Sequence, residues 1–391
     1  VRIEQLRVRK YRVLKDVTFR NVTPLTVLCG ANGSGKSTVF DVFAFLHQSF
    51  TQGLRQAWDD RNRLSSIRSK GQGGPVSFEL KYRAPDHEGR GRLVTYLLEV
   101  DQEKTVPVVR REVLTWCTAP GSGRPKIILK FENGQGTYFD EQDGIEAEEV
   151  LSTPDLIAVS ALGQFATHPR VKALRDFIQG WYLSYVSASS TRSTPNSGPE
   201  PRLSQSGDNL ANVIQYLEEE HPQRLSQIFQ VLARRVPQLE SVLPRRLDDG
   251  RLLLRLKDRP FDEPVLARFA SDGTLKLLAY LTVLYDPKPF EVIGIEEPEN
   301  QLHPKLLPVL AEEVREVSGC SQVLVTTHSP DFLNSVRANE LWALDRGPDG
   351  FTRVHRASEV DGINEMMNAG AQLGWLWSAG YLSAADPLES V

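Results

Sequence analysis

The chain has 391 residues, enough for roughly 2 to 3 domain-sized units and for a core that needs no disulfide or metal staple. Its 46 basic side chains face 50 acidic ones, a net charge of −4, which argues against a protein that coats nucleic acid through bulk charge and leaves room only for a local basic patch. Cys29, Cys117 and Cys320 are far apart and odd in number, so a reducing compartment is expected rather than a disulfide framework. No apolar run approaches the ~18 residues of a membrane span. The charges from Arg2 to Lys15 leave no apolar region for a signal peptide, so a soluble cytoplasmic protein with no membrane partner is expected.

In chain order, residues 1 to 29 read as short strands, ending in the apolar run Leu25 to Cys29 between Pro24 and Gly30. After Gly35 the spacing turns helical, with Val39, Phe40, Phe43, Leu46 and His47 on one side. Residues 51 to 75 are polar and rich in arginine. Alternating segments then start at Ser77, Arg92, Val108 and Lys126, separated by Gly, Pro and Asp, and predict an antiparallel β excursion. Residues 165 to 240 read mainly as helix, interrupted by a Ser/Thr/Pro/Gly loop at 187 to 202 that composition marks as the most mobile segment. A strand returns at Arg251. From residue 270 helices and strands alternate, the pattern of a parallel sheet covered by helices. The expected division is a core of residues 1–50 and 265–391, an antiparallel β lobe over 51–160 and a helical insert over 161–264.

Residues 30 to 38, GANGSGKST, fit the P-loop pattern and lie between a predicted strand and a predicted helix. The residue types follow from the chemistry. Glycines let the backbone turn its N–H groups inward as a concave anion site, and the helix beginning near Lys36 adds the positive end of its dipole. Lys36 is assigned to the β- and γ-phosphates and the Ser37 hydroxyl to Mg²⁺. The Asn-Lys-x-Asp that reads guanine is missing, which argues against a GTPase.

Residues 290 to 300, FEVIGIEEPEN, predict a buried strand ending in Glu296 and Glu297, at the carboxyl edge where α/β folds bind ligands. Adjacent residues of a strand point to opposite faces, so one acid can serve a metal and the other a water. Glu296 is assigned to the metal and Glu297 to the general base. Next, VLVTTHSPDF from Val323 predicts a strand that presents His328 at its tip, where a γ-phosphate would be sensed. Ser271, Asp272 and Gly273 precede an apolar helix; they form either a second anion site or an ordinary capped helix.

These four pieces, in this order, resemble the ABC-type ATPases of the SMC/RecF/OLD group, and more narrowly the small bacterial AAA family ATPases related to them. GANGSGKST resembles the Walker A motif, ASDGT a variant of the LSGGQ signature, IEEPENQLHP the Walker B motif with its D-loop, and TTHSP the switch histidine. The resemblance implies an α/β P-loop NTPase fold of ABC/SMC head type with an antiparallel β lobe and a helical insert. It implies ATP and Mg²⁺ as cofactors and a homodimer that sandwiches two ATPs. Asn32, Gly33, Ser34, Gly35, Lys36, Ser37 and Thr38 of one copy would hold the triphosphate. Ser271 and Gly273 of the other copy would close on the γ-phosphate, with Glu297, His328 and Lys36 catalytic.

Three departures from the group's pattern stand out. Glu296 replaces the usual Asp, Asp272 and Thr274 replace the second Gly and the Gln of the signature, and no Q-loop glutamine is obvious. Gln72, before the strand PVSFEL, is the candidate metal-side glutamine, with Gln48 and Gln52 as rivals. Between Ser37 and Ser271 there is no heptad run, which excludes a long coiled-coil arm. The stretch after His328 is short for the TOPRIM domain of OLD nucleases, so none is expected. The implied function is an ATP-hydrolysing dimeric switch in DNA repair or anti-phage defence that controls a separate effector, with DNA as a second implied partner. The alternatives are a slowly hydrolysing ATP-dependent scaffold or DNA clamp and, below these, a transporter ATP-binding subunit. Basic clusters at Arg61, Arg63, Arg68 and Lys70 and at Arg245, Arg246 and Arg251 are diluted by neighbouring aspartates and read as solvated surface before they read as a DNA face.

Overall fold

The computed structural model describes residues 1–85, 89, 91–117, 125–236 and 238–382. They form two compact units. One comprises Val1–Trp181, Ala338–Ala369 and the stretch from Leu376 onward; the other comprises Tyr182–Arg337 and Gly370–Trp375.

The first unit is built on strands β1 (Arg2–Tyr11), β2 (Leu14–Arg20) and β3 (Leu25–Gly30), helix α1 (Lys36–Thr51), and strands β4 (Val76–Pro85), β5 (Gly91–Glu103), β6 (Val106–Cys117), β7 (Pro125–Glu132), β8 (Gln135–Phe139) and β9 (Glu146–Val150). Eight of these make one sheet in the order β2-β1-β4-β5-β6-β7-β8-β9. The alternation seen in the sequence becomes an apolar face, with Phe78, Leu80 and Tyr82 of β4 and Val94, Tyr96, Leu98 and Val100 of β5 buried. The opening strands belong to the same sheet: Val8 of β1 pairs with Val17 on one side and with Phe78 on the other.

Helix α1 covers that face. Phe45 stacks on Phe78 at 5.4 Å and lies 6.4 Å from Trp58, while the helix Pro169–Gln179 brings Phe177 onto Tyr82 at 4.9 Å. Each such ring contributes about 1.5–3 kcal/mol by leaving water. One acid is enclosed here. Glu112 of β6 accepts from the backbone N–H groups of Ala158 (2.6 Å) and Val159 (3.0 Å) and from the Tyr96 hydroxyl (3.0 Å), and burial pushes its carboxyl up to about 7.

The second unit holds a parallel pair, Val292–Glu296 beside Gln322–Thr327, and the helix Asp272–Leu284, which is buried from Thr274 to Leu284. Two further helices, Leu210–Glu220 and Pro222–Arg235, stand beside a small antiparallel sheet of Leu239–Arg246, Leu252–Asp258 and Val265–Leu266. The region read as mainly helical therefore also carries the strands Trp181–Ser184 and Leu239–Arg246. Four residues are too few to display a period, and the second strand hides behind Pro244 and two arginines.

The segment at 187 to 202 makes hydrogen bonds to the rest of its unit at several points. Ser197 N–H bonds to Gly250 O at 2.8 Å, Asn212 donates to the carbonyls of Asn196 and Gly198, and Arg192 donates to Ala270 O at 2.6 Å. Among the described residues no helix is long and apolar enough to cross a membrane.

Candidate functional site

In the first unit, β3 ends at Gly30 and α1 begins at Lys36, so the predicted phosphate loop is the strand-to-helix turn. Gly30, Gly33 and Gly35 all take positive φ (155°, 80° and 112°), a region that favours glycine. At two of them space also forbids a side chain. A Cβ on Gly30 would collide with the Leu344 carbonyl and Ser34, and one on Gly35 with the Thr352 hydroxyl.

Those neighbours come from a hairpin, Leu341–Arg346 and Thr352–Arg356, whose first strand runs parallel to β3 with Leu344 opposite Gly30. The hairpin also grips the loop directly: Thr352 Oγ1 donates to Ser34 O at 2.7 Å and Arg346 Nε to Gly33 O at 2.8 Å. Neither residue was foreseen, because only register brings them there.

The Lys36 amine is buried and donates to the carbonyls of Gly30 (2.7 Å) and Ala31 (3.1 Å). Ser34 Oγ is buried with no hydrogen-bond partner among the described residues. The first intrahelical bond runs from Val39 N–H to Gly35 O, so the N–H groups of Ser37 and Thr38 have no carbonyl within the helix to reach. Exposed Asn32, Gly33 and Ser37 leave this face open. Glycines that cannot be replaced, an orphaned hydroxyl, unspent helix N–H groups and one lysine make a donor set that fits a polyphosphate.

In the second unit, the strand Val292–Glu296 ends as predicted, with Glu296 opposite Thr326. Glu297 then departs from expectation. It adopts φ 43°, and its N–H bonds to Thr326 O at 2.9 Å. A non-glycine residue in that region is strained, typically by about 1–3 kcal/mol. The chain leaves the strand between the two acids. Both line one cavity of about 540 Å³ with Lys276, Asn300, Gln301 and residues 184–187.

His328 is brought to this edge, its Nδ1 3.8 Å from Glu297 Oε1 and 3.1 Å from Glu299 Oε1. Asn300 Nδ2 donates to Glu297 Oε2 at 3.0 Å. Lys276 donates to Asn300 O at 2.6 Å; burial pushes its amine down to about 8, against the opposing pull of Glu299 and Glu297. Lysine amid the apolar run DGTLKLLAYLTVL was a visible signal that went unread.

Ser271 is the N-cap of the helix Asp272–Leu284: its Oγ accepts from Thr274 N–H at 3.2 Å and meets Thr274 Oγ1 at 2.6 Å. Arg192 pairs with Asp272 at 2.5 Å and steadies the same turn. Gly273 lies against Gln301 O, which a Cβ would approach to 3.2 Å.

Of the three glutamines, Gln48 and Gln52 are bonded to each other at 3.0 Å, and Gln48 also meets Asp60 and Arg61. They lie at the far end of α1, about 18 Å from its start at 1.5 Å per residue. Gln72 sits in the turn before β4, half-buried, its N–H on Ser69 O. The first basic cluster is largely spent: Arg61 pairs with Asp41 at 2.9 Å, Arg63 with Asp59, and Arg68 with Asp101. Arg251 likewise pairs with Asp249 at 2.6 Å.

Among the described residues no three His, Cys, Asp or Glu side chains converge as a metal cage. Mg²⁺ in phosphate chemistry asks for less, one or two oxygen side chains with phosphate and water completing the shell, and the Ser37 hydroxyl and Glu296 are donors of that kind.

A glycine-restricted loop after a parallel strand, an acidic pair ending another strand and an antiparallel sheet are the parts of an α/β P-loop NTPase fold of the SMC-head type. A family model described as "AAA domain, putative AbiEii toxin, Type IV TA system" matches residues 25–334, and the chain belongs to that family. It is an AAA-type ATPase with the fold of SMC heads.

No curated protein matches the sequence. Among solved structures, an SmcHead bound to the C-winged helix domain of ScpA is similar at 16% identity and TM-score 0.53, over 91% of this chain and 97% of that one. An SMC head domain from Thermotoga maritima aligns at 13% identity and TM-score 0.48, over 91% of this chain and 99% of that one. A third, an Smc head with an extended coiled coil bound to the C-terminal domain of ScpA, from Pyrococcus furiosus, aligns at 15% identity and TM-score 0.46, over 94% and 99%.

Proposed function

We propose that this protein is an ATP-hydrolysing dimeric switch. The triphosphate is held by Asn32, Gly33, Ser34, Gly35, Lys36, Ser37 and Thr38, and Ser271 and Gly273 of a second copy close over it. Lys36 must exchange its bonds to Gly30 O and Ala31 O for phosphate oxygens, a trade of neutral acceptors for anionic ones that favours binding. Ser37, Glu296 and, from the turn before β4, Gln72 are the metal-side groups; Mg²⁺ when bound offsets phosphate charge as a Lewis acid. Glu297 takes a proton from water, and His328 touches the γ-phosphate.

The observation that carries this reading is the strained Glu297 at a strand end, its carboxylate fixed by Asn300 and facing His328, in a chain that also bears the phosphate loop. Backbone strain of this kind clusters at functional sites, which supports a chemical use for it here.

Control of a separate effector is the output we assign. Two facts support it: the SMC head of the same fold is bound to a winged-helix domain of ScpA, and the family model's description names a toxin. A DNA-bound form acting in repair or phage defence rests on the motif resemblance.

The test is ATP turnover by wild type and Glu297→Gln, each with and without duplex DNA. Turnover that falls at least a hundredfold in the variant while ATP affinity is kept supports the switch. Equal, slow turnover in both overturns it in favour of a scaffold.

A further inference from the structure

Glu299, three residues past the assigned base, has a buried carboxylate that none of the assigned roles uses. Its side chain is 9% exposed. Oε1 accepts from His328 N–H at 2.6 Å and from Thr327 Oγ1 at 2.9 Å, and lies 3.1 Å from His328 Nδ1. Oε2 is buried with no hydrogen-bond partner among the described residues. Thr327 Oγ1 in turn accepts from Ser329 N–H at 3.0 Å, so one carboxylate organises the whole turn that carries the imidazole.

Burying an acid in this way costs several kcal/mol unless its partners repay it. Turn formation alone does not require it, since a neutral amide could accept the same two bonds from His328 N–H and Thr327. What an amide cannot supply is negative charge at Nδ1.

The charge dictates chemistry. A neutral imidazole has one N–H, and the nitrogen that faces a carboxylate is the one that keeps it. Nδ1 therefore carries the hydrogen, and Nε2 is left to meet whatever approaches. Toward a phosphate oxygen Nε2 donates only in the imidazolium, in which Nδ1–H still rests on the Glu299 carboxylate. Glu297 faces the same nitrogen at 3.8 Å, and the Lys276 amine stands among these acids from the helix Asp272–Leu284.

Resting on the ATPase reading above, we infer that Glu299 is a positioning residue for His328: it fixes the imidazole with Nδ1–H on its own carboxylate and dedicates Nε2 to donation toward the γ-phosphate. The residue acts through His328 and touches no reacting atom.

The test uses the full chain, free of nucleotide and labelled with ¹⁵N-histidine, with the His328 signals assigned by their loss in His328→Gln. The expected result is that neutral wild-type His328 is protonated at Nδ1, and that in Glu299→Gln part of that hydrogen moves to Nε2, read as a changed ¹⁵N tautomer pattern. In turnover, Glu299→Gln is expected to lower kcat about tenfold or more with KM for ATP changed less than twofold. Wild-type His328 carrying its hydrogen on Nε2, or a His328 nitrogen spectrum unchanged in Glu299→Gln, overturns the inference. The wild-type tautomer needs no Glu299 variant, so it decides even if Glu299→Gln does not fold. A wild type that turns over no ATP would remove the ATPase reading and leave the nitrogen spectrum to judge the pair.

Discussion

The phosphate loop and the carboxylate edge are both sites at strand ends, yet they are specified differently. The loop's motif is written in nine consecutive residues, three glycines at positive φ and a lysine folded back on the carbonyls of Gly30 and Ala31, with Arg346 and Thr352 as outside supports. The carboxylate edge is assembled from residues far apart in the chain. The pairing of Val292–Glu296 with Gln322–Thr327 sets Glu299 beside His328, and Glu297 holds a conformation its own side chain disfavours. A locally encoded loop should fail through its own residues. An assembled edge should fail through its supports.

The sharpest way to break the loop is to remove its charge. Lys36→Ala should lower ATP affinity about ten- to a hundredfold, roughly the 1.5–3 kcal/mol of a hydrogen bond to a charged group, with the melting temperature nearly kept. Titration calorimetry checks this, and an affinity within threefold of wild type would mean that the loop does not hold the phosphates.

Gly35→Ala attacks the same loop through its backbone. A Cβ there meets Thr352 Oγ1 at φ 112°, so unfolding stability should drop by about 2–3 kcal/mol in urea titrations. Pairing it with Thr352→Ala should recover part of that loss, because the Thr352 hydroxyl is the atom the added Cβ meets most closely.

Glu112 provides the contrast with both sites, an acid with a shifted proton affinity and no role in chemistry. Burial raises its carboxyl from the usual 4.5 to about 7, so the folded chain binds that proton more tightly than the unfolded chain does. Its stabilising contribution is complete below about pH 4.5 and is lost as pH rises through 7. Stability of the wild type should therefore fall by about 2 kcal/mol more between pH 5 and 8 than that of Glu112→Gln, read from urea midpoints. Parallel curves would refute the assignment.

The smallest effect belongs to the supports of the edge. Ser271→Ala removes an N-cap, worth about 1 kcal/mol of stability. If Ser271 also closes over a second copy's nucleotide, the variant should weaken ATP-driven association as well, seen as a shifted dimer midpoint in ultracentrifugation. Lost stability with unchanged association would reduce the residue to its cap.

This contrast also explains what the sequence made legible. The β3–loop–α1 unit could be read outright, because GANGSGKST and the spacing of Val39, Phe40, Phe43 and Leu46 are periodic or contiguous; all four apolar residues are buried. Glu297 and His328 were reached through motif order, and the structure brings them within 3.8 Å. Glu299 was part of a quoted motif but had no role, since only strand register reveals its contact with Thr327 and His328. Thr352 and Arg346, which hold the loop from the other end of the chain, had no local signal at all. The strand Trp181–Ser184 failed for a different reason, being too short to show its period.

The central claim is that loop and edge are halves of a nucleotide site completed by a second copy. Sedimentation of Glu297→Gln with ATP and Mg²⁺ tests it most directly. The prediction is a species of twice the monomer mass that disappears with ADP or with the added Lys36→Ala. A nucleotide-bound protein that stays monomeric at every concentration would contradict it.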